Sequence, residues 1–405
     1  MKIALTTIGS RGDLQPYIAL GRALQDNGHA VKILTHPWAR DIIHSYALEH
    51  IPVGRNMDIH AIAKEFVKNS KGTLSGLQFA LSFIFSQLWE CHADLLEALE
   101  DFDLIIGHGI VGSSEADMLR KPYVSVSIET MGLQKDYWLS KNLLKEFGIY
   151  TADMFKAMLF SGPYRKFRRK IGAPPINAKR EYPYLALIPI SPQILGTNPY
   201  WKPVTEITGF FLAGTPQQYR PPESLIKFIQ SGEKPIFITF GSMFHTREVS
   251  LKLFELVKES LVPSKSRAVM LMADLTASEI DIPENLYLVD QVSYPWLLPQ
   301  VSLVIHHFGF GTTAEVLAAG LPSIPVPHIF DQKIRARQMH KKGLTYKPLD
   351  IGKLNAAELA GAISIVKSDE NFSERCRTLS ISISRENGLS RAVELINNHF
   401  SYIPD

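Results

Sequence analysis

The stretch VSLVIHHFGFGTTAEVLAAGLPSIPVPHIFDQ, Val301 to Gln332, gathers groups suited to holding an anion. An apolar run ends at His306. His307, Gly309 and Gly311 follow, then Thr312 and Thr313 open a helical pattern with Glu315 inside its first turns. Glycines let a backbone come close to a ligand, and a helix N-terminus offers unpaired N–H groups and partial positive charge. Threonine hydroxyls can donate to phosphate oxygens, His307 can make a charge-assisted hydrogen bond, and Glu315 can accept from ribose hydroxyls. A plainer reading makes His307 the end of a strand and the threonines a helix cap. Zinc is a third reading, through His306, His307, His328 and Asp331. Neighbours on a strand point to opposite faces, which speaks against it, so no metal is expected.

A second candidate lies near the N-terminus, in TTIGSRGDLQPYIALGRAL from Thr6. It has the shape of a first strand-to-helix turn in a nucleotide-binding fold. It lacks the glycine spacing of a dinucleotide fingerprint, and Asp13 would repel a phosphate on its helix. A carboxylate there is either a helix cap or a base aimed at a substrate proton. Arg11 and Gly12 could reach phosphates. His108, after the run DLIIG, reads as a loop or core histidine, with a second base or a partner of Asp13 as the alternative.

These residues need strands and helices to place them. Strand Lys2–Thr7, a helix from about Pro16 to Asn27 and strand Ala30–Thr35 make a βαβ unit; Pro16 suits a first turn and Gly28 a helix end. A helical region is expected from Ile59 to Leu99, followed by strands in FDLIIGHG and KPYVSVSIET. A proline-rich connection, Tyr182 to Pro222, precedes a second series: KPIFITFGS, RAVMLMA, NLYLVDQV, VSLVIHHFG and LPSIPVPH. The fold class is therefore α/β, with two facing Rossmann-like domains and a cleft between them. The expected boundaries are 1–205 for an N-terminal domain, 206–232 for a linker, 233–385 for a C-terminal domain, and 386–405 for a helix packing back on the first domain. Ligands in such sheets sit at the carboxyl ends of the strands.

The motif HHFGFGTTAEVLAAGLPSIPVPHIFDQ resembles the donor signature of family 1 glycosyltransferases of the GT-B fold. The nearest group is the bacterial glycopeptide and macrolide glycosyltransferases together with the sterol glucosyltransferases. The match runs through His306, His307, Gly309, Gly311, Thr312, Thr313, Gly320, Pro322, Pro327, Asp331 and Gln332, and departs at Phe308 and Phe310, where the group commonly has Gly and Ala. GSRGDLQP, FGSM, VDQVSYPWLLPQVSLVIHH and ENGLSRAVELI extend it over nearly the whole chain. The resemblance implies that Gly241 and Ser242 face a diphosphate and that Val292 contacts the base through its main chain. It implies that His307, Gly309, Gly311, Thr312 and Thr313 hold the phosphates, Glu315 the ribose, and Asp331 and Gln332 the sugar hydroxyls. Asp13 is then the base. The implied reaction is inverting transfer of a hexose from a nucleotide diphosphate sugar, UDP-glucose favoured over a TDP-sugar, to a hydroxyl of a hydrophobic sterol, terpenoid, polyphenol or polyketide. An aspartate is a weak base, tolerable where the attacking oxygen gives up its proton late. The alternatives are a catalytically silent sugar-nucleotide-binding accessory protein and a nucleotide-sugar epimerase.

Composition limits the partners. A chain of 405 residues with net charge +3 gives no argument for nucleic acid. Cys91 and Cys376 have no metal or disulfide spacing, and MKIALTTIGSRGD is not a secretory signal, so a cytoplasmic protein, monomer or weak dimer, is expected. The uncharged run Gly72 to Trp89 reads as a half-buried helix. Together with Met131, Tyr137, Trp138, Met154, Phe155 and Met158 it could line an acceptor pocket. The basic runs YRKFRRK (Tyr164–Lys170) and KIRARQMHKK (Lys333–Lys342) read as solvated faces, with peripheral membrane contact at most.

Overall fold

The computed structural model describes residues 1–56, 73–128, 162–175, 184–196, 203–241, 247–272, 275 and 280–400. Two all-parallel sheets organise them. The first contains β1 (Lys2–Thr6), β2 (Ala30–Thr35), β3 (Glu49–Pro52), β4 (Leu104–His108), β5 (Tyr123–Val126), β6 (Tyr184–Ile188) and β7 (Thr205–Ile207), in the order β3-β2-β1-β4-β5-β6-β7. The second contains β8 (Ile236–Thr239), β9 (Ala268–Leu271), β10 (Leu286–Val289), β11 (Val304–His306) and β12 (Ser323–Pro325), in the order β10-β9-β8-β11-β12.

Side-chain alternation explains why both sheets are covered on both faces. On β1, Ile3 and Leu5 join a core with Tyr17, Leu20 and Leu24 of the first helix, while Ala4 joins another with Leu88, Leu95 and Leu99. On β8, Ile236 and Ile238 pack with Leu253, Phe254 and Val257, while Phe237 packs with Leu225 and Ile229. Strands buried on both faces read as unbroken apolar runs, which is why IALT and IFIT carry no polar alternation.

The division by contacts falls at Ala213/Gly214 and again at Arg385/Glu386: Met1–Met57, Leu74–Ala213 and Glu386–Asp405 form one unit, Gly214–Arg385 the bulk of the other. Thus β7 completes the first sheet, and helix Glu223–Gln230 lies on the second through Leu225 and Ile229. Helix Gly388–Phe400 returns to the first unit, sinking Ala392, Val393, Ile396 and Phe400 into the core around β1. Each such large apolar side chain contributes about 1.5–3 kcal/mol when fully buried.

The first helix departs from its expected start. It spans Arg11–Asp26, five residues earlier than Pro16, which lies inside it. Ser10 is the N-cap and Asp13 the third helical residue, and the carboxylate of Asp13 reaches back to the N–H and O–H of Ser10. That capping contact starts the helix before the proline, so Pro16 costs one intrahelical bond in the second turn.

Both sheets have a point where the strand order reverses: between β1 and β4 in the first, between β8 and β11 in the second. Crossovers leave such a pair toward opposite faces, which opens a crevice at the carboxyl ends of the strands. Among the described residues, no helix is long and apolar enough to cross a membrane.

Candidate active site

At the first reversal, β1 runs through Thr6 into Gly9 and Ser10, and β4 ends at His108. Gly9 has φ +145°, and a Cβ there would lie 2.4 Å from Asp13 Oδ2, so only glycine leaves room for this carboxylate. Oδ2 accepts from Ser10 N (2.7 Å) and Ser10 Oγ (2.9 Å), and Oδ1 has no hydrogen-bond partner among the described residues. Asp13 is half-buried, and Arg11 and Gly12 are exposed beside it.

Asp13 also has electrostatic company that the sequence did not announce. Thr7 Oγ1 lies 3.4 Å from His108 Nδ1, and the rings of Tyr17 and His108 are 5.7 Å apart. Burial holds His108 below its usual range, opposed by the charge of Asp13. Burial, helped by Asp13, pushes the Tyr17 phenol well up, and its hydroxyl donates to the Val126 carbonyl. The arrangement gathers one carboxylate and a neutral imidazole at the mouth of the crevice.

At the second reversal, β8 ends at Thr239, two residues before Gly241, and β11 ends at His306, with His307 next. The two histidines part company. His306 is fully buried and stacks under Phe308, centroids 4.3 Å apart, and burial drives its pKa well below the usual range, with His307 and Arg335 adding to the effect. The ring of His307 lies between two glycines: a Cβ on Gly241 would meet it at 2.9 Å, one on Gly309 at 2.4 Å. Gly241 also needs its freedom for φ +82°. The imidazole of His328 is the next ring, 6.3 Å away.

The helix that follows spans Phe310–Ala318 with Gly309 as N-cap, and its first turn carries no acidic residue. It therefore begins two residues before Thr312. Thr313 is buried and its hydroxyl donates to the Gly309 carbonyl at 2.8 Å. That proton serves the helix here, and Thr312 is the hydroxyl nearest the open N-terminus. Gly311 and Thr312 are half-buried. Glu315 is half-buried too, and desolvation pushes its pKa up to about 7.

The remaining expected donor residues are less uniform. Val292 is buried in the core below β10, which leaves its main chain as the part able to meet a ligand. Gln332 is 3% exposed, and its Oε1 accepts from His328 N and Ile329 N, capping helix Phe330–Lys341. Only its amide nitrogen remains for a sugar hydroxyl. Asp331 is in the first turn of that helix; its side chain, like Ser242 and the residues Met131 to Met158 of the expected acceptor pocket, lies outside the described residues.

Sequence reasoning missed two arginines. In the first basic run Arg168 turns inward, 2% exposed, to bind Asp117 (2.8 Å), Tyr164 Oη and the Pro174 carbonyl. In the second, Arg335 Nη1 donates to the carbonyl of Phe308 at 2.6 Å, with the guanidinium 5.8 Å from the Phe310 ring. Phe308 has φ +66°, which costs a bulky residue on the order of 1 kcal/mol.

Known proteins bear on both halves. Residues 266–387 match the family described as Erythromycin biosynthesis protein CIII-like, C-terminal domain, and residues 3–95 match the Glycosyltransferase family 28 N-terminal domain. The chain is 27% identical to a sterol 3-beta-glucosyltransferase of Arabidopsis thaliana over 98% of its own length and 68% of that protein's. It spans only 35% of a similar sterol 3-beta-glucosyltransferase from Saccharomyces cerevisiae. It is 26% identical to the O-mycaminosyltylonolide 6-deoxyallosyltransferase of Streptomyces fradiae, covering 98% of this chain and 97% of that one. Among solved structures, the Streptomyces glycosyltransferase SsfS6 complexed with thymidine diphosphate superposes with a TM-score of 0.71 at 18% identity, over 98% of this chain and 99% of that one.

Proposed function

The chain belongs to the glycosyltransferases of the GT-B fold, and from that premise we propose that it transfers a hexose from a nucleotide diphosphate sugar to a hydroxyl of a hydrophobic small molecule, with inversion. The observation that carries this reading is the pairing of two unlike loops at equivalent points of two parallel sheets. One offers a carboxylate with an uncommitted oxygen; the other offers a histidine and an acid-free helix N-terminus.

The chemistry follows from those groups. The acceptor oxygen attacks the anomeric carbon as the bond from that carbon to the phosphate oxygen breaks, and the bonding pair leaves with the nucleoside diphosphate. Charge grows on that phosphate, so N–H groups at the start of helix Phe310–Ala318, the hydroxyl of Thr312 and the ring of His307 are the stabilisers. The acceptor proton passes to Asp13 Oδ1 once the new bond makes the oxygen acidic. Attack opposite the leaving group inverts the anomeric centre. No metal is needed in this reading, since the loop supplies the positive field.

A sterol or polyketide alcohol is the favoured acceptor class, supported by the names of the relatives, and UDP-glucose is the favoured donor, its glucose in keeping with the sterol 3-beta-glucosyltransferase relative. The test is incubation of the chain with UDP-glucose or TDP-glucose, EDTA and a sterol and macrolactone panel, with mass spectrometry and anomeric NMR. A β-glucoside from an α-donor is the expected product. An altered sugar nucleotide with no glycoside would establish epimerisation instead, and donor binding without product an accessory role.

A further inference from the structure

We propose that Arg335 is the positioning residue of the phosphate loop, its guanidinium fastening the Phe308 carbonyl so that residues 307–312 stand in their ligand-binding shape before a nucleoside diphosphate arrives. This rests on the donor-site reading above and goes beyond it to say what holds the loop.

The need for a clamp comes from the chain's departure from its group. Phe308 occupies the left-handed region at φ +66° with no glycine to make that conformation easy. Two contacts oppose its relaxation. The buried ring of Phe308 lies on the His306 ring at an interplanar angle of 21°, and Arg335 Nη1 donates to the Phe308 carbonyl at 2.6 Å. The second contact joins the loop to helix Phe330–Lys341, three residues beyond Gln332. Phe310, the other departure, lies within cation–π reach of the same guanidinium. Arg335 therefore ties the loop expected to hold the phosphates to the helix whose first turn carries the residues expected to meet the sugar. A planar guanidinium can bond a carbonyl and lie against an aromatic ring at once; an ammonium cannot reproduce that geometry.

The experiment measures UDP binding by calorimetry and kcat and KM for the donor in the parent, R335A, R335K and H307A, with thermal unfolding as the control for folding. R335A should weaken UDP about tenfold, the size of one charge-assisted hydrogen bond, and lower kcat as well. R335K, which keeps the charge, should stay nearer to R335A than to the parent, and millimolar guanidinium should partly restore R335A. A purely structural role would lower the unfolding temperature and leave UDP affinity and kcat untouched. Retention of parental UDP affinity within twofold in R335A, or full recovery in R335K, overturns the positioning role. If R335A does not unfold cooperatively, R335K and R335Q decide on the same criteria. Loss of UDP binding in H307A but not at position 335 leaves the donor site standing and removes the clamp; a parent that binds neither UDP nor TDP removes both.

Discussion

The two strand-to-helix loops at the reversal points are built alike and charged oppositely. After β1, Gly9 makes room for an acid at the third helical position, and Asp13 bonds the backbone at the start of its own helix. After β11, Gly309, together with Gly241 beyond β8, makes room for an imidazole, and the helix start has no acid. The same architecture thus fills its own positive helix end with a carboxylate in one unit and carries no acid there in the other. A repeated fold supplies two crevices, and in the proposed reaction the identity of one or two side chains decides which becomes the proton acceptor and which the phosphate cradle.

That contrast is broken most decisively by exchanging function for form. Asp13→Asn keeps the size of the side chain and should lower transfer by about a thousandfold, within the range of a lost general base, while UDP affinity changes by less than about threefold. His307→Ala should do the reverse in emphasis, weakening UDP by roughly tenfold or more and lowering turnover with it. Kinetics and calorimetry on the two variants separate the roles. Equal loss of UDP affinity in both would mean that Asp13 also serves binding or structure, and the two loops would no longer be distinct.

A finer test uses the glycines beneath each group. A methyl at Gly9 would sit 2.4 Å from Asp13 Oδ2, and one at Gly309 would sit 2.4 Å from His307 Nε2. Neither change removes a functional atom; each pushes one aside, and at Gly9 the φ of +145° adds backbone strain. Misplacement of this size commonly costs about ten- to a hundredfold. Gly9→Ala should therefore lower kcat with donor affinity kept, and Gly309→Ala should raise the UDP dissociation constant about tenfold. The same phenotype from both would show that the methyl groups act through general destabilisation, which melting temperatures would reveal.

The features legible in the sequence were those written in local pattern. Apolar runs such as IALT and VIH gave the strands, and the spacing His307, Gly309, Gly311, Thr312 gave the second loop. The start of the first helix was misplaced because Pro16 is a strong local signal, whereas the Ser10–Asp13 contact that overrides it depends on a side chain reaching back three residues. A threonine next to a glycine loop looks exposed in the sequence; only the helix register shows the Thr313 hydroxyl bonded to Gly309. Arg168 and Arg335 were hidden for a different reason. Each lies in a run of cations that reads as a solvated face, and nothing local says which member turns inward. Asp117 and the Phe308 carbonyl, distant in sequence, decide that.

The smallest expected effect concerns the acid carried by the helix after the second loop, two residues beyond Thr313. Desolvation raises Glu315 from its usual 4.5 to about 7. The folded protein then holds a proton across that window where the unfolded chain has lost it, so the stability of the second unit falls as pH rises from 4.5 toward 7 and levels off above. Between about pH 6 and pH 8 the loss amounts to about 1 kcal/mol. Glu315→Gln, which stays neutral throughout, should remove this slope from urea unfolding curves. A ribose hydroxyl donating to the carboxylate would favour its charged form, so saturating UDP should flatten the slope in the parent and change nothing in the variant. An unchanged slope in Glu315→Gln would place the titration elsewhere. A slope lost in the variant but untouched by UDP would keep the buried acid and take it out of the donor site, which would leave the second loop a pure phosphate cradle and sharpen its contrast with the first.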